Sequence, residues 1–241
     1  MTHLGRLALM VFALTVFGSG ALRAQSKQSD PLEGFNRSVF GFNLTLDQYV
    51  VEPVASAYAK VVPEPLRNMV GNFFGNIGDV WSAANHVLQG KPGPAFHMMG
   101  RVFINTSVGL LGVLDVATVS GIERQSEDFG QTLGVWGVKS GPYVVLPLLG
   151  PSTLRDAVAI PLDRSIYNLT LPQETEPRAW LSAAQVINGR ANALPYTRML
   201  DKVALDKYVF VRDAHLTRRQ SLVYDGEVPA AESDSNTETE E

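Results

Sequence analysis

The stretch VFINTSVGLLGVLDVATVSGI, residues 102–122, decides the fold. It has three possible interpretations: a buried core segment, a membrane span, or a surface that contacts lipid without crossing the membrane. Its densest apolar run, residues 108–119, would reach about 18 Å as a helix at ~1.5 Å per residue, which is short of a ~30 Å bilayer core. Asp115 lies within this run, and a carboxylate is costly against lipid tails unless it is paired or turned inward. The stretch is therefore not predicted to span a membrane.

Two interpretations of this stretch stay open. Leucine and valine occupy more than one side of it, which a soluble helix with a single apolar face does not explain. Short helices within one leaflet would point their apolar rims at acyl chains and turn Asn105 and Asp115 inward. A fully buried core hairpin is the alternative, and composition alone favours it.

A long amphipathic helix is predicted from Asp30 to Val50. Asp30 can cap free amides, Pro31 lacks the amide that a first turn leaves unbonded, and Glu33 can reach back to the cap. Pro53 is expected to end the helix. Its apolar stripe recurs at steps of three and four residues: Leu32, Phe35, Val39, Phe42, Leu46 and Val50.

A second long helix is predicted from Pro63 and Pro65 to Gly90. It contains the segment GNFFG, in which Gly71 and Gly75 either admit a neighbouring backbone or merely relieve crowding in an ordinary core. The residues GKPGP, 90–94, indicate a turn.

Further helices are expected on both sides of a glycine-rich segment. The helical period restarts after the turn at 90–94 through Phe96, Met99 and Phe103. Ser152 is predicted to cap another helix, which Pro161 interrupts. Residues 177–219 are expected to be mostly helical, with a break at Pro195.

The glycine-rich segment, residues 129–152, holds five glycines and three prolines among aromatic and aliphatic residues. Neither helix nor regular sheet tolerates that composition well, so an ordered loop or hairpin with an apolar surface is predicted. The whole pattern predicts an all-α fold in one domain, from about Asp30 to about Leu222.

The chain ends differ in composition from this domain. Residues 1–24 have the pattern of a signal peptide: a short basic start, an apolar run, and small residues. Residues 225–241 hold seven acidic and no basic residues and are predicted to be a disordered tail. Residues 25–224 then carry a net charge of +1, which argues against nucleic acid as a partner.

The sequence offers little for catalysis, and neither a cofactor nor a metal site is predicted. His86, His97 and His215 have no second ligand at a metal-binding spacing. No nucleophile elbow, phosphate-binding loop or dinucleotide fingerprint is present, so no catalytic residue is assigned and the protein is not expected to be an enzyme. Two pairs of sequence neighbours are expected to act as ion pairs or caps: Glu127 with Asp128, and Arg155 with Asp156.

Three segments carry a resemblance to a known family. They are SDPLEGFNRSVFGFN at 29–43, FINTSVGLLGVLDVA at 103–117 and EDFGQTLGVWGVKSGPYVVLPLLGPSTLRD at 127–156. The third is the most specific, because its ordered glycines, prolines and aromatics are hard to reach by chance. On these segments the chain resembles the MlaA (VacJ) family of outer-membrane lipid-asymmetry proteins over residues 25–224.

The resemblance implies a ring-shaped helical protein with short membrane-embedded helices, seated in the periplasmic leaflet of the outer membrane. An amphipathic channel would take mislocalised phospholipid from the outer leaflet and pass it to a soluble periplasmic carrier, and a trimeric porin would be a further partner. The residues expected at the lipid passage or its gate are Phe42, Asn43, Asn105, Asp115, Thr132, Gly134, Gly137, Lys139, Gly141 and Tyr143. The residues expected to hold the motifs together are Asp30, Pro31, Glu33, Asn36, Arg155 and Asp156.

The sequence departs from the family pattern in one respect. It contains no cysteine, so the lipid-bearing cysteine after the signal peptide is missing and an apolar rim would have to hold the protein at the membrane. Two other functions remain as alternatives. One is a periplasmic lipid hydrolase that uses Ser107, Ser140 or Ser152 with a histidine, and the other is a scaffold that only binds a porin.

Overall fold

The computed structural model of the protein describes residues 30–169, 171–172 and 174–228. The predicted signal peptide, residues 1–24, and most of the acidic tail, residues 229–241, lie outside this part of the chain. The described residues are mostly helical, as the all-α prediction required. The helices are α1 (Glu33–Leu46), α2 (Glu52–Val61), α3 (Glu64–Leu88), α4 (Pro92–Ser107), α5 (Val116–Val119), α6 (Phe129–Val135), α7 (Leu154–Leu169), α8 (Thr175–Val203) and α9 (Lys207–Val223).

The first helix begins where its sequence predicts but does not end there. The Asp30 side chain accepts a hydrogen bond from the amide of Leu32 at 3.1 Å, as a residue preceding a helix does. After α1 the chain forms a π-helical turn, Asp47–Val51, and continues directly into α2. Pro53 lies in the first turn of α2, where a missing amide costs little, so the expected helix end at Pro53 was wrong.

The second long helix, α3, is confirmed, and it packs against α4 along an extended contact. The predicted turn at 90–94 is shorter than expected, since α4 already begins at Pro92. Within residues 102–122, helix α4 ends at Ser107, and the chain forms turns from Val108 until α5 begins. Leu110 and Leu111 have positive φ values of 53° and 58°, which a continuing helix does not allow. Most of the apolar run is therefore a loop.

The glycine-rich segment is only partly a hairpin. Residues 129–135 form α6, because the Asp128 side chain accepts the Gln131 amide at 2.8 Å and caps the helix. The antiparallel strands β1 (Tyr143–Leu146) and β2 (Gly150–Thr153) follow and pair in a two-stranded sheet.

Three predictions about the later helices were wrong. Thr153 caps α7 in place of Ser152, since the Thr153 hydroxyl accepts the Asp156 amide at 3.3 Å. Pro161 lies inside α7 and Pro195 inside α8 without ending either helix. A proline in a helix interior costs roughly 3 kcal/mol, so tertiary packing must offset that cost at both sites.

The acidic tail begins later than its composition predicts. Asp225 pairs with Lys91 at 2.6 Å, and the Gly226 amide donates to the Ser221 carbonyl at 2.8 Å. These contacts terminate α9 and fix residues 225–226 to the helical domain.

Candidate functional site

The distribution of polar and apolar side chains is inverted relative to a soluble protein. On α4 the apolar residues Phe96 and Phe103 are 77% and 71% exposed, while Arg101 is fully buried. Among the buried residues of the described chain, polar and charged side chains outnumber apolar ones. Soluble proteins show the opposite preference. The further apolar side chains more than half exposed include Phe35, Phe42, Val61, Val108, Leu110, Leu111, Val119, Leu148, Val158, Trp180 and Met199.

This exposure decides between the two interpretations of residues 102–122. Val108, Leu110, Leu111 and Val119 are between 65% and 88% exposed, so the fully buried hairpin is excluded. Asn105 is 1% exposed, and its side chain turns inward as the leaflet interpretation requires.

A buried ion cluster lies beneath this apolar surface. The guanidinium of Arg101 contacts both carboxylate oxygens of Asp115 at 3.0 Å and reaches Asp79 at 3.3 Å. Asn105 donates to Asp115 at 3.0 Å and accepts the Ala117 amide at 2.9 Å. Burial alone would raise the pKa of Asp115, but hydrogen bonds from Thr118, Asn105 and Arg101 lower it to about 2. Asp115 is therefore ionised and held in place by its partners.

A cavity of about 500 Å³ lies beside this cluster, between α3, residues 124–128, α7 and α8. Its size is within the range of small-molecule sites. Charged side chains of both signs are among its lining residues. The lining residues are Gly75, Gly78, Asp79, Trp81, Ser82, Arg124, Ser126, Glu127, Asp128, Asp163, Arg164, Tyr167 and Gln185.

The basic side of the cavity is built around Arg124 and Gly75. The Nε atom of Arg124 lies 2.8 Å from Asp79 Oδ1, and 29% of its side chain is exposed. Its guanidinium lies directly over Gly75, where an added Cβ would come within 2.6 Å of Nη1. At Gly71 an added Cβ would be 3.7 Å from the Asn188 side chain. Gly75 thus leaves room for the Arg124 side chain, which neither sequence interpretation foresaw, whereas the contact at Gly71 is an ordinary one.

The acidic side of the cavity contains two carboxylates without an arginine or lysine partner among the described residues. Glu127 is 8% exposed and accepts from Gln89 at 2.8 Å, and burial raises its pKa to about 7. Asp163 accepts from the Trp81 indole at 2.7 Å and from the Phe129 amide at 2.9 Å, and burial raises its pKa as well.

Asp128, next to Glu127, is in a different state. Arg219 contacts both of its carboxylate oxygens, at 2.5 and 3.0 Å. Burial would raise the pKa of Asp128, but these bonds from Arg219 hold it below its ordinary value. Arg219 also contacts Asp156, which in turn pairs with Arg155 at 2.9 Å. The roles predicted for Asp128, Arg155 and Asp156 as caps or ion pairs are confirmed. The same prediction was wrong for Glu127, whose carboxylate accepts from Gln89 and pairs with no arginine or lysine among the described residues.

Two asparagines of α1 attach that helix to the hairpin. Asn36 is fully buried, donates to the Tyr143 carbonyl at 3.0 Å and accepts the Val145 amide at 2.8 Å. Asn43, two helical turns later, donates to the Leu146 carbonyl at 3.0 Å and accepts the Leu148 amide at 2.8 Å. The two side chains complete the free edge of β1.

The other motif residues lie around this junction. Asp30 accepts from the Tyr208 hydroxyl and from Asn36. Glu33 pairs with Arg37 at 2.7 Å on the surface of α1, and Pro31 is exposed.

The residues predicted for the passage or its gate are dispersed, and none of them lines the cavity. Phe42 is 54% exposed on the apolar exterior. Thr132 is fully buried and donates to Asn85 at 2.7 Å, and Gly134 leaves room for Arg155. Lys139 is exposed in the segment between α6 and β1.

The cavity residues were missed because they are distant in sequence and belong to no local motif. Arg124 lies in the segment before α6 and Asp163 lies on α7, 39 positions later. The available signal was GNFFG, since a glycine inside a helix often marks a close approach of another group.

The residues considered for catalysis lie in different parts of the fold, and the His215 ring packs against Tyr143 with a centroid distance of 6.1 Å. His86 is buried with Nε2 3.2 Å from the Gln125 carbonyl, and His97 is exposed. The Ser152 hydroxyl is buried and donates to the Thr153 carbonyl, while Ser107 and Ser140 are exposed. Among the described residues there is no group of three or more His, Cys, Asp or Glu side chains that could hold a metal ion. Within the same part of the chain, every helix is too short or too polar to cross a membrane.

The chain was compared with known families and structures. The MlaA lipoprotein family model matches residues 28–222. The intermembrane phospholipid transport system lipoprotein MlaA of Shigella flexneri is 38% identical over 216 residues, which is 87% of this chain and 84% of the relative. The MlaA proteins of Escherichia coli K12 and Haemophilus influenzae are 38% and 32% identical, over 87% and 84% of this chain and 84% and 82% of their own lengths.

A solved structure agrees with these relatives. It concerns the structural basis for maintenance of bacterial outer membrane lipid asymmetry, and it matches with a TM-score of 0.70 and 36% identity. The match covers 81% of this chain and 100% of the solved one. The chain, whose fold has a polar interior and an apolar exterior, therefore belongs to the MlaA lipoprotein family.

Proposed function

We propose that this protein transports phospholipid between membranes and so maintains the lipid asymmetry of the outer membrane. It would remove mislocalised phospholipid from the outer leaflet and pass it to a soluble carrier in the periplasm. The observation that carries this proposal is the charged interior beneath an apolar exterior, in a family whose members are named for phospholipid transport. A phospholipid needs both surfaces, because its headgroup avoids hydrocarbon and its tails avoid water.

The apolar exterior embeds the protein in the inner leaflet of the outer membrane. Each phenylalanine transferred from water to hydrocarbon contributes roughly 1.5–3 kcal/mol, and α4 alone exposes Phe96 and Phe103. None of the 241 residues is a cysteine that could carry a lipid. A single acyl chain gives only marginal membrane binding, so many exposed apolar side chains can replace it.

The polar interior provides the route for the headgroup, as an amphipathic channel within a ring of helices. The cavity and the ion cluster share Asp79, which pairs with Arg124 on one side and Arg101 on the other. Asn105 and Asp115 would therefore stabilise the wall of the passage from behind, and the cavity side chains would meet the headgroup.

The segment between α6 and β1, residues 136–142, would act as the gate. Gly137 and Gly141 have φ values of 89° and 67°, and both residues are exposed. Glycines at positive φ on each side of a short segment allow hinge motion at low conformational cost. Asn36 and Asn43 hold the hairpin that follows, so the motion would be confined to this segment.

A trimeric porin and the periplasmic carrier are the proposed protein partners. The extent of the exposed apolar surface supports such partners, since a porin wall and acyl chains both cover apolar side chains. The proposed location, on the periplasmic face of the outer membrane after export by the signal peptide, follows from the same surface and from the family.

The transport function is tested in the native host by deleting the gene and labelling intact cells with an amine-reactive reagent that does not cross membranes. Labelled phosphatidylethanolamine should increase several-fold in the deletion strain and return to normal with the wild-type gene. A porin-binding scaffold without a lipid passage predicts unchanged labelling, and that result would refute the transport function. Release of fatty acid by the purified protein would instead favour a hydrolase.

A further inference from the structure

We infer that the cavity beside α3 is a headgroup site selective for phospholipids that join a phosphate to an ammonium group, as phosphatidylethanolamine does. Arg124 would bind the phosphate, and Glu127 and Asp163 would bind the ammonium. This inference rests on the proposed transport function and adds the class of lipid to it.

Arg124 has guanidinium nitrogens that are free to bind a ligand. Its ion pair with Asp79 involves Nε, which leaves the two terminal nitrogens for another acceptor. Nε and Nη2 are both buried without a hydrogen-bond partner among the described residues, so the contact of Nε with Asp79 is an ion pair only. A buried guanidinium nitrogen without an acceptor is costly, and a phosphate provides acceptor oxygens in the geometry that a guanidinium matches best.

The position of this guanidinium depends on a glycine. Gly75 is the position on α3 over which it lies, and any side chain there would displace it. A glycine in the interior of a helix costs roughly 1 kcal/mol relative to alanine. Its presence is explained if the protein needs Arg124 close to α3 and at the cavity wall.

Glu127 and Asp163 each have a carboxylate oxygen available to a cation. The hydrogen bonds that Asp163 accepts in the described structure both end on Oδ1, and the bond from Gln89 to Glu127 ends on Oε2. Each carboxylate therefore keeps one oxygen for a ligand. Burial disfavours their ionised forms, and a cation in the cavity would remove that penalty.

The charge balance of the cavity favours a zwitterion over a simple anion. Asp79 is paired with Arg101 and Arg124, and Asp128 with Arg219, so their charges are offset within the protein. Glu127 and Asp163 are not offset in this way, and Arg164, the second arginine of the lining, is one positive charge against these two negative ones. Phosphatidylglycerol has the phosphate but no cation, and its hydroxyls would meet these two carboxylates without neutralising them.

The test uses the purified full chain in detergent at pH 8, with isothermal titration of dihexanoyl phosphatidylethanolamine and dihexanoyl phosphatidylglycerol. The wild type should bind the ethanolamine lipid about tenfold more tightly. Arg124→Gln should weaken both lipids about tenfold. Gly75→Ala should do the same while retaining every charge, which separates a displaced guanidinium from a folding defect.

The acidic side has its own variant. The double variant Glu127→Gln with Asp163→Asn should weaken the ethanolamine lipid about tenfold and leave the glycerol lipid unchanged. The matched controls Arg198→Gln and Asp201→Asn, on exposed parts of α8, should bind both lipids as the wild type does.

The outcomes separate the two proposals. Equal binding of both lipids by the wild type, or equal losses for both in the acidic double variant, would overturn the headgroup selectivity and leave transport intact. If the wild type bound neither lipid in the titration and left outer-leaflet labelling unchanged in cells, the transport function itself would be wrong.

Discussion

The side-chain amide of Asn36 pairs with the backbone of Val145 across 109 positions of sequence, with the Val145 amide donating to Asn36 Oδ1 at 2.8 Å. Its other end donates to the Tyr143 carbonyl, so one buried side chain acts as a strand partner for β1. Helix α1 thereby closes an edge that a two-stranded sheet would otherwise leave unpaired.

Replacing Asn36 with alanine should lower the free energy of unfolding by about 2–4 kcal/mol, because it removes the two hydrogen bonds to β1 and the one to Asp30 and leaves a buried amide and carbonyl of β1 unpaired. Denaturant unfolding measures the loss, and hydrogen exchange should show faster exchange of the Val145 amide. Thr45→Ala, an exposed change on the same helix, should alter stability by less than about 0.5 kcal/mol. Unchanged protection of the Val145 amide would contradict the assigned role.

The buried arginine of the ion cluster should be essential for stability. Arg101→Met leaves Asp115 without its guanidinium and Asp79 with Arg124 alone, and the expected loss is about 3–5 kcal/mol. The control is Arg37→Met, which removes exposed ion pairs to Glu33 and Asp206 and should cost no more than about 1 kcal/mol. Similar losses for the two variants in chemical denaturation would show that the cluster is not a structural centre.

Glu127 should make stability fall as pH rises through a defined window. Its pKa is about 7 in the folded protein against an ordinary value of 4.5, so the folded state binds the proton more tightly. Stability is then fully present below pH 4.5 and is lost up to pH 7, by at most about 3 kcal/mol.

The variant Glu127→Gln should lose much less stability than the wild type when the pH rises from 4.5 to 8, because glutamine does not ionise. Unfolding free energies measured at several pH values test this, with the exposed Glu176→Gln as control. Acid denaturation below pH 4 should persist in the variant, because Asp115 has a lowered pKa and loses its contribution there. Parallel pH curves for wild type and Glu127→Gln would refute the assignment.

A charge on the apolar exterior should weaken membrane binding without unfolding the protein. Phe103→Asp changes a side chain that is 71% exposed, so stability in detergent should change by less than about 1 kcal/mol. Partitioning into vesicles, measured by flotation, should fall about tenfold or more, since ~1.5–3 kcal/mol of burial in lipid is lost. Thr217→Asp adds the same charge to an exposed polar position on α9, and its partitioning should match the wild type. Equal behaviour of both variants would show that α4 does not enter the leaflet.

The sequence by itself determined the helical class, the start of α1 and the extent of α3, and it predicted that residues 102–122 do not span a membrane. These features follow from local physics: the spacing of apolar residues, capping side chains, and the cost of a polar group in an apolar surface. The family resemblance also rests on local order, in the run from Glu127 to Asp156.

Only the tertiary structure decided where the helices continue and where the charges meet. Pro161 and Pro195 lie inside helices because packing outweighs a local preference worth roughly 3 kcal/mol, which no local pattern can weigh. The fold brings Arg124 over Gly75 and includes Glu127 and Asp163 in the lining of the cavity. A charge interaction depends on distance in space, and the chain fixes that distance only when α3, α7 and α8 have packed.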